Sequence, residues 1–279
     1  MKRLFLLLGI CVTIGLAGCE KETFHLEQKT TGDMVYYMAE HGDCTDEPVI
    51  ILCHGLGGNH RDMEQAAQNF YNKGYAVVTF DLYGHEEQDY GKNIYIHEMI
   101  TGSKEKVEGI LKDIDKMEVC DAERFGMYGV SLGGMFSFYM GAYGETGPQI
   151  IISMASSPDL EDIFCRALDH VPGKWSATEK KLTGISDEEK ESEILWAKNN
   201  SPIDSIQKLA QIPTIMVNGT DDEYMSIDQV RNYKSNVETL GGDVFLYENP
   251  HGTHGKLGDY HGEQILSILE QIFPIFDKE

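Results

Sequence analysis

Ser131 lies in Gly129-Val130-Ser131-Leu132-Gly133, and a serine at the centre of G-x-S-x-G is a pattern for nucleophilic chemistry. The pentapeptide is a weak signal by itself, and its context gives it weight. The apolar run Arg124 to Tyr128 leads straight into it, and a helix-like stretch over about 132–142 follows. Ser131 is therefore expected in a tight strand-to-helix turn, where larger residues in place of the glycines would strike the neighbouring backbone. The helix N-terminus beside the hydroxyl favours developing negative charge. A serine hydroxyl is nucleophilic at neutral pH only with a base beside it, and the base needs a carboxylate to orient it. Downstream, Asn218-Gly219-Thr220-Asp221-Asp222 and Pro250-His251-Gly252-Thr253-His254-Gly255 supply both, in the order Ser, acid, His. Asp221 and Asp222 both satisfy that order, as do His251 and His254. The chemistry would be attack on a carbonyl carbon through an acyl-enzyme, which calls for no cofactor. His251, His254 and His261 lack carboxylates at a ligand spacing and no C-x-x-C pair occurs, so no metal is expected.

Elements must hold these groups at one place. Val49 to Cys53 and Ala76 to Phe80 are unbroken apolar runs, as in strands covered on both faces. Arg124 to Tyr128, Ile150 to Met154, Ile215 to Val217 and Val244 to Tyr247 repeat that character. Helical patterns separate them, at about 61–73, 103–118, 132–142, 226–240 and 260–277. This alternation predicts an α/β fold with a mostly parallel central sheet flanked by helices. The acid and base segments then fall just past the C-terminal ends of two strands, where such sheets place their sites. Between Pro158 and Ile212 no strand is evident, and a helical cap insertion over about 158–212 is expected. Its charge run Asp187 to Glu191 reads as a solvated helix face. Its tryptophans, Trp175 and Trp196, fit either an acyl pocket or the packing of the cap.

From Val35 onward the chain resembles the α/β-hydrolase superfamily, nearest to bacterial esterases and to dienelactone-hydrolase or prolyl-oligopeptidase-like members. The likeness rests on the elbow above, on His54-Gly55-Leu56-Gly57-Gly58 and on Asp81-Leu82-Tyr83-Gly84-His85. Glu86 departs from the pattern, since many relatives carry glycine there. The resemblance implies Asp222 as the acid, by its G-x-x-D setting, and His254 as the base, by its G-x-H setting, with His251 as a rival. It also implies an oxyanion hole from the backbone N–H groups of Leu56 and Leu132. His54 and His85 are structural in such relatives, and His60 and His97 are expected to be incidental. The implied activity is carboxylic ester hydrolysis. A serine peptidase or amidase, and a non-catalytic ligand-binding lipoprotein, are the alternatives.

The N-terminus carries a separate signal. Lys2 and Arg3 precede a charge-free apolar stretch, Leu4 to Gly18, too short to cross a bilayer comfortably. It ends Leu16-Ala17-Gly18-Cys19 and resembles a bacterial lipobox, which implies cleavage after residue 18 and lipidation of Cys19. Residues 19–32 then read as lipidated cysteine and polar tether, and 33–279 as the hydrolase domain. The expected location is extracytoplasmic, with the membrane contacted through a lipid anchor alone. Of 279 residues, 46 are acidic and 23 basic, a net charge of −23 that loss of Lys2 and Arg3 makes more negative. That balance argues against nucleic acid as a partner, because phosphate binding requires clustered cations. It favours a small neutral or cationic ester as substrate. Of the remaining cysteines, Cys53 reads as a small buried hydrophobe, while Cys44, Cys120 and Cys165 leave room for one disulfide.

Overall fold

A computed structural model describes residues 23–42, 46–117 and 119–275. The expected signal, Cys19 and Cys44 lie outside these residues. Glu27–Thr31 (β1) and Met34–Ala39 (β2) form an antiparallel hairpin. β3 (Glu47–Cys53) and α1 (Glu64–Tyr71) follow, then β4 (Ala76–Thr79), β5 (Asn93–Tyr95) and α2 (Ile96–Ile114). β6 (Cys120–Val130) runs into α3 (Leu132–Tyr143), and β7 (Ile150–Met154) completes the first half. The cap comprises α4 (Leu160–His170), β8 (Lys174–Ser176), β9 (Lys181–Thr183) and α5 (Asp187–Asn199). The short α6 (Ile206–Leu209) returns the chain to β10 (Thr214–Gly219), α7 (Ile227–Thr239), β11 (Val244–Asn249) and α8 (Gly262–Ile272).

Among the described residues the main sheet has eight strands, in the order β1-β2-β4-β3-β6-β7-β10-β11. The β1–β2 and β2–β4 pairings are antiparallel and the other five are parallel, so β2 is the reversed strand. All seven residues of β3 are buried, and their alternation explains the unbroken apolar run. Val49, Ile51 and Cys53 join the core beneath α2 and α3, whereas Ile50 and Leu52 face α1 and α8 on the other side. Gly126 in β6 makes room between neighbours, since a Cβ there would sit 2.6 Å from the Ile150 side chain.

Two expectations need correction. Glu27–Thr31, read as polar tether, is an outer strand of the sheet; three of its five residues are exposed to solvent, and it carries no apolar signal. The cap is not purely helical. β8 pairs with β9 on one side and with β5 on the other in a second, three-stranded sheet. Strands of three residues are too short to show an alternating pattern, and β5 reaches them from far along the chain. The Asp187 to Glu191 run lies in the solvated first turns of α5, which begins with a reciprocal cap between Ser186 and Glu189. Its acidic first turn complements the helix dipole.

Candidate active site

Ser131 sits between β6 and α3 with φ 52° and ψ −114°. A non-glycine residue held there stores about 1–3 kcal/mol and persists only if its surroundings enforce it. The enforcement is visible. Its N–H donates to the Met154 carbonyl at 2.9 Å, and its own carbonyl accepts from Met135 N–H at 2.9 Å. A Cβ on Gly129 would lie 2.2 Å from the Gly133 carbonyl oxygen, and one on Gly133 would lie 2.2 Å from that of Cys53. The glycines of the motif are therefore demanded by close backbone packing.

The turn aims the Ser131 hydroxyl at His254, whose Nε2 lies 2.8 Å from Oγ. His254 Nδ1 lies 2.9 Å from Asp222 Oδ2 and 3.2 Å from Oδ1. A carboxylate only accepts, so Nδ1 carries the proton and Nε2 is free to accept from the serine. Asp222 is fixed in turn: its Oδ1 accepts the Tyr224 and Met225 backbone N–H groups, each at 2.9 Å. Its side chain is fully shielded from solvent. The rivals of these residues pair with each other instead. His251 Nδ1 meets Asp221 Oδ2 at 3.1 Å at the surface, with the two side chains 90% and 52% exposed. That pair does not touch Ser131. Asp222 and His254 are thus the members of each duplicate that the fold brings to the serine.

Leu56 and Leu132 both border the space in front of Ser131 and His254. Leu132 is the first residue of α3, so its N–H has no acceptor within the helix. The neighbouring Gly57 N–H is engaged, donating to His85 Nε2 at 3.0 Å. His54 behaves alike: its Nε2 accepts from Leu82 N–H at 3.0 Å and its Nδ1 donates to the Gly55 carbonyl at 2.7 Å. Both rings act as neutral braces for the loop beside the serine. Burial lowers the pKa of each, that of His85 to about 4.

His60 and His97 are not incidental. His60 stacks on Tyr37 and contacts Asp81 Oδ1 through its backbone N–H at 2.7 Å and Nδ1 at 2.8 Å. His97, at the start of α2, binds the buried Glu193 of α5 through Nδ1 and joins the cap to the core. His261 pairs with Asn249 at 3.0 Å, so the three C-terminal histidines have separate partners. Glu86, the departure from the pattern, forms a 2.6 Å ion pair with Lys106 in which both side chains are nearly buried. Cys53 is fully buried and its thiol is pushed well up by desolvation. Cys53, Cys120 and Cys165 are free thiols.

The space in front of Ser131 is a cavity of about 320 Å³. Its walls come from α2 (Ile96), α3 (Leu132, Met135), α4 (Ile163, Phe164, Ala167) and the acid loop (Tyr224, Met225). Neither tryptophan reaches it. Trp175 donates its indole N–H to the Gly84 carbonyl at 3.0 Å and stacks on His85, while Trp196 packs with Tyr139 and Phe164. Packing of the cap is their observed role. Sequence reasoning passed over Tyr224, whose ring stands edge-on to His254 at 5.0 Å, and the α4 wall. The wall had a legible signal: apolar residues at helical spacing after Asp159, whose side chain caps Asp162 N–H.

A family model described as "alpha/beta hydrolase fold" matches residues 48–170. Over 109 residues the chain is 32% identical to an Escherichia coli protein described as an uncharacterized 31.7 kDa protein in the traX-finO intergenic region. That stretch is 39% of this chain and 37% of the relative, so little more than a third of the relative is matched. Among solved structures, TT1662 from Thermus thermophilus is similar with a TM-score of 0.65 at 14% identity, over 89% of this chain and 98% of its own. Thermogutta terrifontis esterase 2 is similar at 0.63 and 14%, over 91% and 96%. The acylaminoacyl peptidase of Pyrococcus horikoshii reaches 0.64 at 15% identity, over 93% of this chain and 43% of its own. At such identities these likenesses establish a shared architecture. The chain has the α/β-hydrolase fold, and its residues 48–170 match the family model of that description.

Proposed function

We propose that this chain is a serine hydrolase acting on carboxylic esters. The observation that carries the reading is the 2.8 Å contact between Ser131 Oγ and His254 Nε2, backed by Asp222 at the far side of the ring. His254 takes the hydroxyl proton as Oγ bonds to the ester carbonyl carbon, and the imidazolium is held by the shielded Asp222 carboxylate. The backbone N–H groups of Leu56 and Leu132 receive the oxyanion, a contribution of roughly 10²–10³ in rate per donor. As the tetrahedral intermediate collapses, His254 returns the proton to the departing alkoxide and leaves the acyl group on Ser131. Water, deprotonated by His254, then releases the acid and restores the serine. Asp221 and His251 take no part.

The apolar walls favour the ester reading over peptide cleavage. Among the described residues, the side chains around the cavity that carry polar groups are Ser131, Tyr224 and His254, which leave a peptide's remaining N–H and C=O groups without side-chain partners. The test is incubation of the full chain with a fluorophosphonate and with p-nitrophenyl butyrate. Labelling confined to Ser131, and loss of turnover in Ser131→Ala by about 10⁶-fold, are expected. No labelling and no turnover would leave the ligand-binding alternative standing.

The proposal for location is an extracytoplasmic protein tethered through Cys19, supported by the Lys2 to Cys19 sequence alone. No described helix is long and apolar enough to cross a membrane. Metabolic labelling with a tagged palmitate, lost in Cys19→Ala, tests the anchor.

A further inference from the structure

Helix α4 of the cap has two unlike faces. Ile163, Phe164 and Ala167, at helical spacing, and Val171 just past the helix end border the cavity, while Cys165, Arg166 and Asp169 are exposed on the other side. The cavity thus meets an apolar stripe opposite the nucleophile, and among the described residues no Lys, Arg, Asp or Glu side chain borders it. Its 320 Å³ matches about ten non-hydrogen atoms at roughly 30 Å³ for each water-sized group. Setting aside the two ester oxygens leaves room for an acyl chain of about eight carbons, the carbonyl carbon included.

We infer that the site, on the reading that it is a serine hydrolase, selects esters of uncharged, apolar acyl groups up to about octanoyl, and that Phe164 and Ala167 set that limit. Phe164 is fully buried and closes the cavity on the side of Trp196, whose ring lies 6.2 Å away. Truncating Phe164 extends the cavity toward that indole. Ala167 stands one helical turn along, on the same face, and a larger side chain there takes volume from the acyl group. Each methylene that fits in the apolar cavity raises kcat/KM by about fourfold, and each beyond its end brings no gain or a clash. An acyl group ending in a carboxylate finds no cationic partner there and loses its hydration.

The test is kcat/KM for p-nitrophenyl acetate, butyrate, hexanoate, octanoate, laurate and palmitate, and for p-nitrophenyl hemisuccinate, with the full chain. Fluorophosphonate labelling of Ser131 runs alongside. The expected profile climbs to hexanoate or octanoate and drops at least about tenfold by laurate. Hemisuccinate, close to butyrate in size, should be turned over at least about a hundredfold more slowly than butyrate. Ala167→Phe should move the optimum to butyrate or shorter, and Phe164→Ala should move it to laurate. Phe164→Leu, a gentler truncation, should shift it the same way and serves if Phe164→Ala fails to fold. Labelling of Ser131 with an optimum at palmitate, efficient hemisuccinate turnover, or profiles unmoved by the variants overturns the inference and spares the serine-hydrolase reading. Absence of both labelling and turnover overturns that reading, and the inference with it.

Discussion

Gly219 and Gly252 meet so closely that a Cβ on Gly219 would lie 2.1 Å from the Gly252 carbonyl oxygen. The contact clamps the turn carrying Asp222 to the turn carrying His254. Asp221 N–H, donating to the same carbonyl at 2.9 Å, ties them further. Gly219→Ala forces the two turns apart by about 1 Å, and a displacement of that size at a reacting pair costs roughly 10²-fold in rate. We expect kcat for p-nitrophenyl butyrate to fall by about that factor with KM little changed. A lowered Tm should accompany it. An unchanged kcat would show that this clamp does not position the pair.

The duplicated acid and base allow a clean assignment. His254→Ala should lower kcat by about 10⁴–10⁶-fold, because the serine loses its proton acceptor. His251→Ala, at the surface and away from Ser131, should stay within about threefold of the parent. Asp222→Asn should cost about 10⁴-fold, while Asp221→Asn should not. Steady-state kinetics on the four variants decide the matter, and a reversed order would move the chemistry to the surface pair.

How much of this was legible in sequence follows from which forces act locally. The strands β3, β4, β6, β7 and β10 stand out because burial on both faces demands continuous apolar runs. Ser131 stands out because close backbone packing demands its flanking glycines. The choice of Asp222 over Asp221 was implied by a resemblance; in the structure it depends on two backbone N–H groups aimed at one carboxylate, a fact of loop geometry. β1 escaped because it is an exposed edge, and β8 and β9 because they are three residues long. The His97–Glu193 pair escaped because its members are 96 residues apart, with nothing local to mark either.

That pair yields a prediction of its own. Glu193 is nearly buried, and its carboxylate is met by both the His97 ring and the His97 backbone N–H. His97→Ala leaves the carboxylate without its ring partner, at a cost of about 1–3 kcal/mol in stability. Since Ile96, next in sequence, borders the cavity, loosening should raise KM for octanoate more than it lowers kcat. Limited proteolysis between α4 and α5 should also quicken. Parent-like KM and proteolysis would mean that the cap is held by its apolar contacts alone.

The braces at His54 and His85 make stability depend on pH. Each ring accepts a backbone N–H at Nε2, which only the neutral form can do. The folded pKa of His85 is lowered to about 4 from 6.5, chiefly by burial, and that of His54 is lowered for the same reason. Below about 6.5 the unfolded chain therefore binds protons that the folded chain refuses, and stability falls as pH falls. For His85 the loss accrues between about 6.5 and 4, and levels off once the folded ring also protonates. His85→Gln, whose amide oxygen can still accept the Gly57 N–H, should be less stable at neutral pH yet lose less on acidification. Thermal melts of both proteins at steps across that range test this. Parallel Tm profiles would show that His85 is not held neutral by the fold.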